Sequence, residues 1–448
     1  MSMSTSEVQQ FHQAFGEHTG ISNSRRIYIN DVRQLQRIKN FSLQRYDAQR
    51  FTDLAWRLLG RYIAKNNHLN KIELDCCNIT DQKMASLFVE LTGSTSLSSF
   101  RLDGNSFGLE GLQSMVSFLE NAPNLSHVDL SGNNNINTEC FVLLVQTLHG
   151  RPLEVKLTLS ICNCNIANIS ALDRYTLPNL KQLTLSGNNI GREGCITLSN
   201  MLQQEGSNLS YLHLDGTGID DEGAELLATS LENNTKLHTL YLRGNNITER
   251  GYKACLKVLI DIRSIENTYN SNHTLKVLKL PPLTSAGMYW MREIVRDATH
   301  INYGHSTAVK AARTKVIKYQ LNSQSRKEVC RLQDIEYTSI GSLFADIEPI
   351  LVPHLLALIG EEHGQPEFYQ ALVPMVPAFM SCIDTSGMMK DLKARNSLRM
   401  AELNRQLAAL SIWNEQLDRR LAVRESGDNR QSANTGRTAA SERKRQRS

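Results

Sequence analysis

The sequence predicts an α/β solenoid: an open horseshoe with a parallel concave sheet and convex helices, followed by an α-helical C-terminal region. Two observations carry this. A phrase of the form LxxLxLxGNxI recurs about every 28 residues from Leu69 to about Leu280. After each phrase comes an apolar stripe at helical spacing. A fixed period in this range marks stacked units, none of which can bury its hydrophobic face alone.

Residues 1–26 are polar and rich in Ser and Gln, and are expected to be disordered. Residues 27–68 are read as an N-terminal cap, because end units of a solenoid otherwise expose core. Its helix is expected to place Phe51, Leu54, Leu58, Tyr62 and Ile63 on one face.

Repeats occupy residues 69–280 and start near 69, 97, 125, 156, 180, 209, 237 and 262. Apolar positions 1, 4 and 6 point inward and alternate as in a strand. Gly at position 8 lets the chain bend. Asn at position 9 (Asn105, Asn133, Asn188, Asn245) suits a side chain that bonds buried backbone at the turn. LNKIELDCCNI and KLTLSICNCNI put Cys77 and Cys164 in that slot. The helical stripe is Leu112, Met115, Val116 and Leu119 in one repeat, and Ala224, Leu227, Ala228 and Leu231 in another. Two places break the rhythm: an extra residue within Asn133–Asn135, and a compressed stretch at Ala167–Asn179.

Residues 281–385 read as a helical region, with basic helices over His305–Leu321 and Ser325–Leu332 and apolar ones over Glu348–Gly360 and Glu367–Met380. Residues 386–424 read as a long helix. Met400, Leu403, Leu407, Leu410, Leu417 and Leu421 fall at heptad spacing there, with Asn414 on the seam. Such a helix either pairs with itself as a coiled coil or packs on the rest of the domain. Residues 425–448 read as a basic disordered tail. From Arg424 onward there are seven basic residues against three acidic ones, a surplus equal to the chain's formal +4.

The strand, turn and full helix per unit resemble the ribonuclease-inhibitor class of leucine-rich repeats, across roughly half the chain. SIENTYNSNHTL and RLQDIEYTSIGSLFADIEPILVPHLLALIGEEHGQ are similar to a repeat-protein family expanded in diatoms, over about residues 69–427. That family has no assigned biochemical role, so the resemblance implies architecture alone. Repeats of this length also resemble the Ran GTPase-activating protein family, which implies an alternative role as regulator of a Ran-like small GTPase. That family follows its repeats with an acidic segment, whereas this chain ends basic. No residue here matches a catalytic arginine or asparagine motif.

Solenoids of this type mostly hold partners, so the expected function is a non-enzymatic protein scaffold or adaptor. In such strands positions 2, 3, 5 and 7 line the concave face. Position 5 reads Glu73, Arg101, Asp129, Ser160, Thr184, His213, Tyr241, Glu266. The charge is mixed with no basic stripe, which argues against a nucleic-acid surface. Tyr211, His213, Asp215, His238, Tyr241 and Arg243 gather late on this face, and Tyr and Arg favour binding hot spots. These six are the candidate partner-binding residues.

No P-loop, GxSxG, HExxH or EF-hand loop occurs, so no catalytic residue and no cofactor is assigned. No metal site is assigned either. Cys76–Cys77 and Cys162–Cys164 lack the convergent pairs that zinc needs, and Cys195 and Cys255 fall on the buried stripe. Nine cysteines at irregular spacing, with no apolar leader, fit a reducing, cytoplasmic setting. Lys444, Arg445 and Arg447 form a short nuclear-import candidate. No apolar run is long enough for a membrane span.

Overall fold

The computed structural model describes residue 6 and residues 39–43, 51–149, 151, 154–282, 289–320 and 323–336. Nine parallel strands form one sheet in strictly sequential order. They are β1 Asn40–Ser42, β2 Lys71–Glu73, β3 Ser99–Arg101, β4 His127–Asp129, β5 Leu157–Ser160, β6 Leu180–Thr184, β7 Tyr211–His213, β8 Thr239–Tyr241 and β9 Val277–Lys279. Helices return the chain from each strand to the next: α1 Asp53–Lys65, α2 Asp81–Phe88, α3 Leu109–Glu120, α4 Thr138–His149, α5 Ala171–Arg174, α6 Gly191–Gln203, α7 Asp221–Leu231 and α8 Glu249–Leu259.

The inward positions form one continuous core. Leu97, Phe100 and Leu102 of one repeat and Leu209, Leu212 and Leu214 of another are essentially inaccessible to solvent. The turn residue at position 8 has positive φ wherever it is glycine (Gly104, Gly132, Gly187, Gly216, Gly244). Cys76 and Asn163 take the same left-handed conformation in their repeats.

Position 9 is a ladder of backward bonds. Asn105 Nδ2 donates to Leu74 O and Leu102 O, both at 2.8 Å. Its Oδ1 accepts the N–H groups of Cys77 and Ile79, both at 3.0 Å. Asn245 repeats the pattern with Leu214 O, Leu242 O and the N–H groups of Thr217 and Ile219. Where cysteine stands in the slot, its thiol does the donating: Cys77 Sγ lies 3.0 Å from Leu43 O, and Cys164 Sγ 3.6 Å from Leu130 O. The thiols of Cys195 and Cys255 are buried, and burial pushes each up to about 12. No group of three His, Cys, Asp or Glu among the described residues could hold a metal ion.

Three expectations need correction, and a fourth is trimmed at its ends. The sheet starts one strand early: β1, within the segment read as the N-terminal cap, pairs with β2. Of the five residues expected on the buried face of this segment, Phe51, Leu58, Tyr62 and Ile63 are buried, together with Ala55, Trp56 and Leu59 of α1, and Leu54 is instead 61% exposed. The last strand is not at 262. Ile265–Tyr269 is a short helix (α9), and the phrase restarts at Leu275, so Lys279 and not Glu266 occupies position 5. The basic helix read over His305–Leu321 is α11, Ala308–Lys315, continuing as a wider turn of helix over Val316–Gln320. The compressed repeat is as expected: α5 has 4 residues, and the register slips between Leu157 and Thr158 where β5 meets β6.

After β9, helices α10 (Tyr289–Gly304), α11 and α12 (Ser323–Leu332) close the end of the solenoid. Asn302 Nδ2 donates to Leu275 O at 2.8 Å. Lys315 is fully buried, and its amine donates to Leu259 O at 2.8 Å and Asn272 O at 2.7 Å. Those carbonyls sit at the end of α8 and in the loop before β9, so the amine stitches the cap to the last repeat. Burial holds this amine well below the usual lysine range. The expected features at 1–26 (residue 6 apart), 348–380, 386–424 and 425–448, including Lys444, Arg445 and Arg447, lie outside the described residues. Among the described residues no helix is long and apolar enough to cross a membrane.

Candidate functional site on the late concave strands

β7 and β8 pair in register, so position 5 of one lies directly beside position 5 of the other: His213 against Tyr241. Their rings stack with centroids 4.4 Å apart and planes 7° from parallel. The Arg243 guanidinium sits 5.7 Å from the Tyr241 ring, within cation–π range. Asp215 Oδ1 accepts the backbone N–H of Arg243 at 2.7 Å. That carboxylate is therefore spent on fixing the strand end. Tyr211 stands 37% exposed, with Lys181 Nζ 5.8 Å from its ring.

Of the six predicted residues, four are joined by direct contact: His213, Tyr241, Arg243 and Asp215. Tyr211 is carried by the same strand as His213, with Lys181 as its neighbour. His238 is the separate one. It is half-buried at position 2 of its repeat, and no ring contact among the described residues ties it to the stack. Burial lowers the pKa of both imidazoles. Nearby Lys276 and Lys181 lower His238 further, while Asp215 partly opposes the shift at His213. Both rings are thus biased toward the neutral form that stacks well.

Sequence reading missed the cations of this face. Lys181 and Lys276 hold position 2 of their repeats and Lys279 holds position 5. The signal for the last two was the Leu275, Leu278, Leu280 phrase, which lacks the following Gly-Asn. None of the three has an ion-pair partner among the described residues.

The early strands differ. Arg101 on β3 lies 3.5 Å from Glu73, 3.3 Å from Asp75 and 3.5 Å from Asp129, and Lys71 lies 2.6 Å from Glu73. Burial pushes Asp75 up to about 6 against the pull of Arg101. Burial and the Asp129 charge raise Asp103 as well.

A family model described as Leucine Rich repeat matches residues 176–199, 207–228 and 233–254, which include β7 and β8. Human NACHT, LRR and PYD domains-containing protein 5 is 25% identical over 198 residues, covering 44% of this chain and 16% of that protein. Rat Capping protein, Arp2/3 and myosin-I linker protein 3 is 27% identical over 231 residues, covering 51% of this chain and 14% of that protein. Human NACHT, LRR and PYD domains-containing protein 14 is 30% identical over 220 residues, covering 46% and 19% respectively. The chain thus spans less than a fifth of the length of these relatives. The matched phrase, the strand–turn–helix unit and the position-9 ladder agree on the fold: the described residues form a leucine-rich-repeat solenoid.

Proposed function

We propose that the chain is a non-enzymatic scaffold or adaptor that binds a partner protein on strands β7 and β8 of the concave sheet. The observation that carries this is the flat His213–Tyr241 stack with Arg243 beside it. Aromatic and arginine side chains dominate binding energetics because they offer large, amphipathic contact area. Here they stand on a hydrogen-bonded sheet, so little ordering entropy is lost when a partner docks. One relative is named as a linker of several proteins, which supports the reading by analogy of fold.

The test is capture from native lysate by the wild type beside Tyr241→Ala/Arg243→Ala, with melting curves to show that both are folded. A partner retained by the wild type and lost by the variant, by about tenfold or more, supports the reading. A partner held equally by both moves the site elsewhere. Recovery of a small GTPase whose hydrolysis is stimulated would replace this reading with the GTPase-regulator alternative. Residues 388–424 are proposed as a second, self-associating element. Deletion of that segment with sizing by light scattering tests it.

A further inference from the structure

Along the sheet, each strand bonds forward to the next with the same groups. The position-6 N–H donates to the position-5 carbonyl of the following strand: Leu74 to Arg101 at 2.9 Å, Leu102 to Asp129 at 2.8 Å, Leu214 to Tyr241 at 2.8 Å and Leu242 to Lys279 at 2.7 Å. The position-2 carbonyl accepts in return, as His238 does from Val277 at 3.0 Å. In β9 these forward groups are the Leu280 N–H and the Lys276 carbonyl. Neither has a partner among the described residues. Among the described residues strand β9 therefore ends the sheet with an unpaired edge, and such edges template the pairing of another chain.

A groove of about 1070 Å³ runs beside this edge. One wall is Lys276 through Leu280, and the other is α10 with part of α12. Its apolar side holds Leu278, Ile294, Val295 and the half-exposed Trp290. Six basic residues line it against three acidic ones, which sets its sign as positive. Two of the acids are already engaged: Glu293 pairs with Arg296, and Asp297 accepts from Lys318 at 2.7 Å and from Tyr319. Arg243, Lys276, Lys279 and Arg292 have no acidic partner among the described residues. The third acid, Glu328, has Oε2 buried with no hydrogen-bond partner among the described residues.

We propose that this edge takes an extended acidic segment of another protein as an added strand. Main-chain bonds to Leu280 N–H and Lys276 C=O would supply register, and alternate side chains would supply specificity. Residues of an extended strand point alternately to opposite faces. Acidic residues of the ligand then lie on the concave side with exposed Lys279, and apolar ones lie on the side of buried Leu278. The ligand is thus an alternating acidic–apolar strand. The inference does not rest on the concave-face reading: its edge groups, Lys276 and Lys279 lie outside the His213–Tyr241 stack, and Arg243 alone is common to both.

The probe is a blocked, fluorescent peptide of alternating glutamate and valine, titrated by anisotropy into the full chain. Saturable binding is expected, weakening with salt. Only one set of alternate amides can face β9. N-methylating that set should weaken binding by about tenfold, while N-methylating the other set leaves it intact. Lys276→Glu/Lys279→Glu should also weaken it by about tenfold, and Lys83→Glu on the distant helix α2 should leave it unchanged. The proposal is overturned by absence of saturable binding, by equal binding of both methylated peptides, or by indifference to charge reversal. Tighter binding of a short oligouridine at the same lysines would overturn it in favour of nucleic acid.

Discussion

The early and late halves of the concave face are built on the same strands and differ in what their charges have already done. On β2–β4, Arg101 is surrounded by Glu73, Asp75 and Asp129, and Lys71 is held by Glu73. A partner arriving there must break pairs before it can make any. On β6–β9, Lys181, Lys276, Lys279 and Arg243 are uncommitted, and the aromatic rings lie flat beside them. The difference teaches that charge content alone is a poor guide to a binding face. What matters is how much of the charge the fold has left unspent.

The comparison sharpens if the scaffold beneath both halves is equally strong. Asn105 and Asn245 each make four bonds to buried main chain at 2.7–3.0 Å. Asn105→Ala and Asn245→Ala should each lower stability by about 3 kcal/mol, since buried main-chain groups are left unpaired. Urea melts check this, and a large inequality between the two would break the comparison.

Acid should drive the two ends apart. Asp75 is raised from an ordinary 3.8 to about 6, so its contribution is present below 3.8 and lost as pH rises through 6. His273, under the cap, is lowered from 6.5 to about 4 by burial and by Lys315. Its contribution is present above 6.5 and lost as pH falls through 4. Between pH 7 and 5 the cap should lose up to about 2 kcal/mol while the Asp75 region gains about 1. Hydrogen exchange resolved by peptide reads both, and parallel changes at the two ends would refute the assignment. The smallest effect separates the two arginines. Arg101→Met should cost about 1 kcal/mol at neutral pH by leaving three carboxylates facing one another, whereas Arg243→Met should stay within about 0.5 kcal/mol.

Most of the solenoid was legible because leucine spacing, positive-φ glycine and position-9 asparagine each serve a local physical need that recurs. The ends were less so. Phe41 and Leu43, with Ile38 before them in sequence, already spell positions 1, 4 and 6, but no Gly-Asn follows to announce β1. At the other end Ile262 and Ile265 imitate a phrase whose residues go instead into a turn and a short helix. The candidate site was legible in its members and not in its contacts. Spacing placed His213 and Tyr241 at the same strand position, yet the stack depends on the register between neighbouring strands. Lys276 and Lys279 were hidden by the misplaced last strand. Lys315 shows the limit of reading polarity: a lysine on a basic helix points inward because main-chain carbonyls are waiting there.

The position-9 ladder also has a direction in time. The side chain that satisfies the Cys77 and Ile79 amides belongs to Asn105, and the one that satisfies Thr217 and Ile219 belongs to Asn245. These two turns are therefore each finished by a residue 26 or 28 positions downstream. A ribosome adds roughly 5–20 residues per second, so each of the two waits roughly one to six seconds for the side chain that closes it. At both places the growing solenoid carries an open turn at its leading end, and completing the repeat is an act performed by its successor.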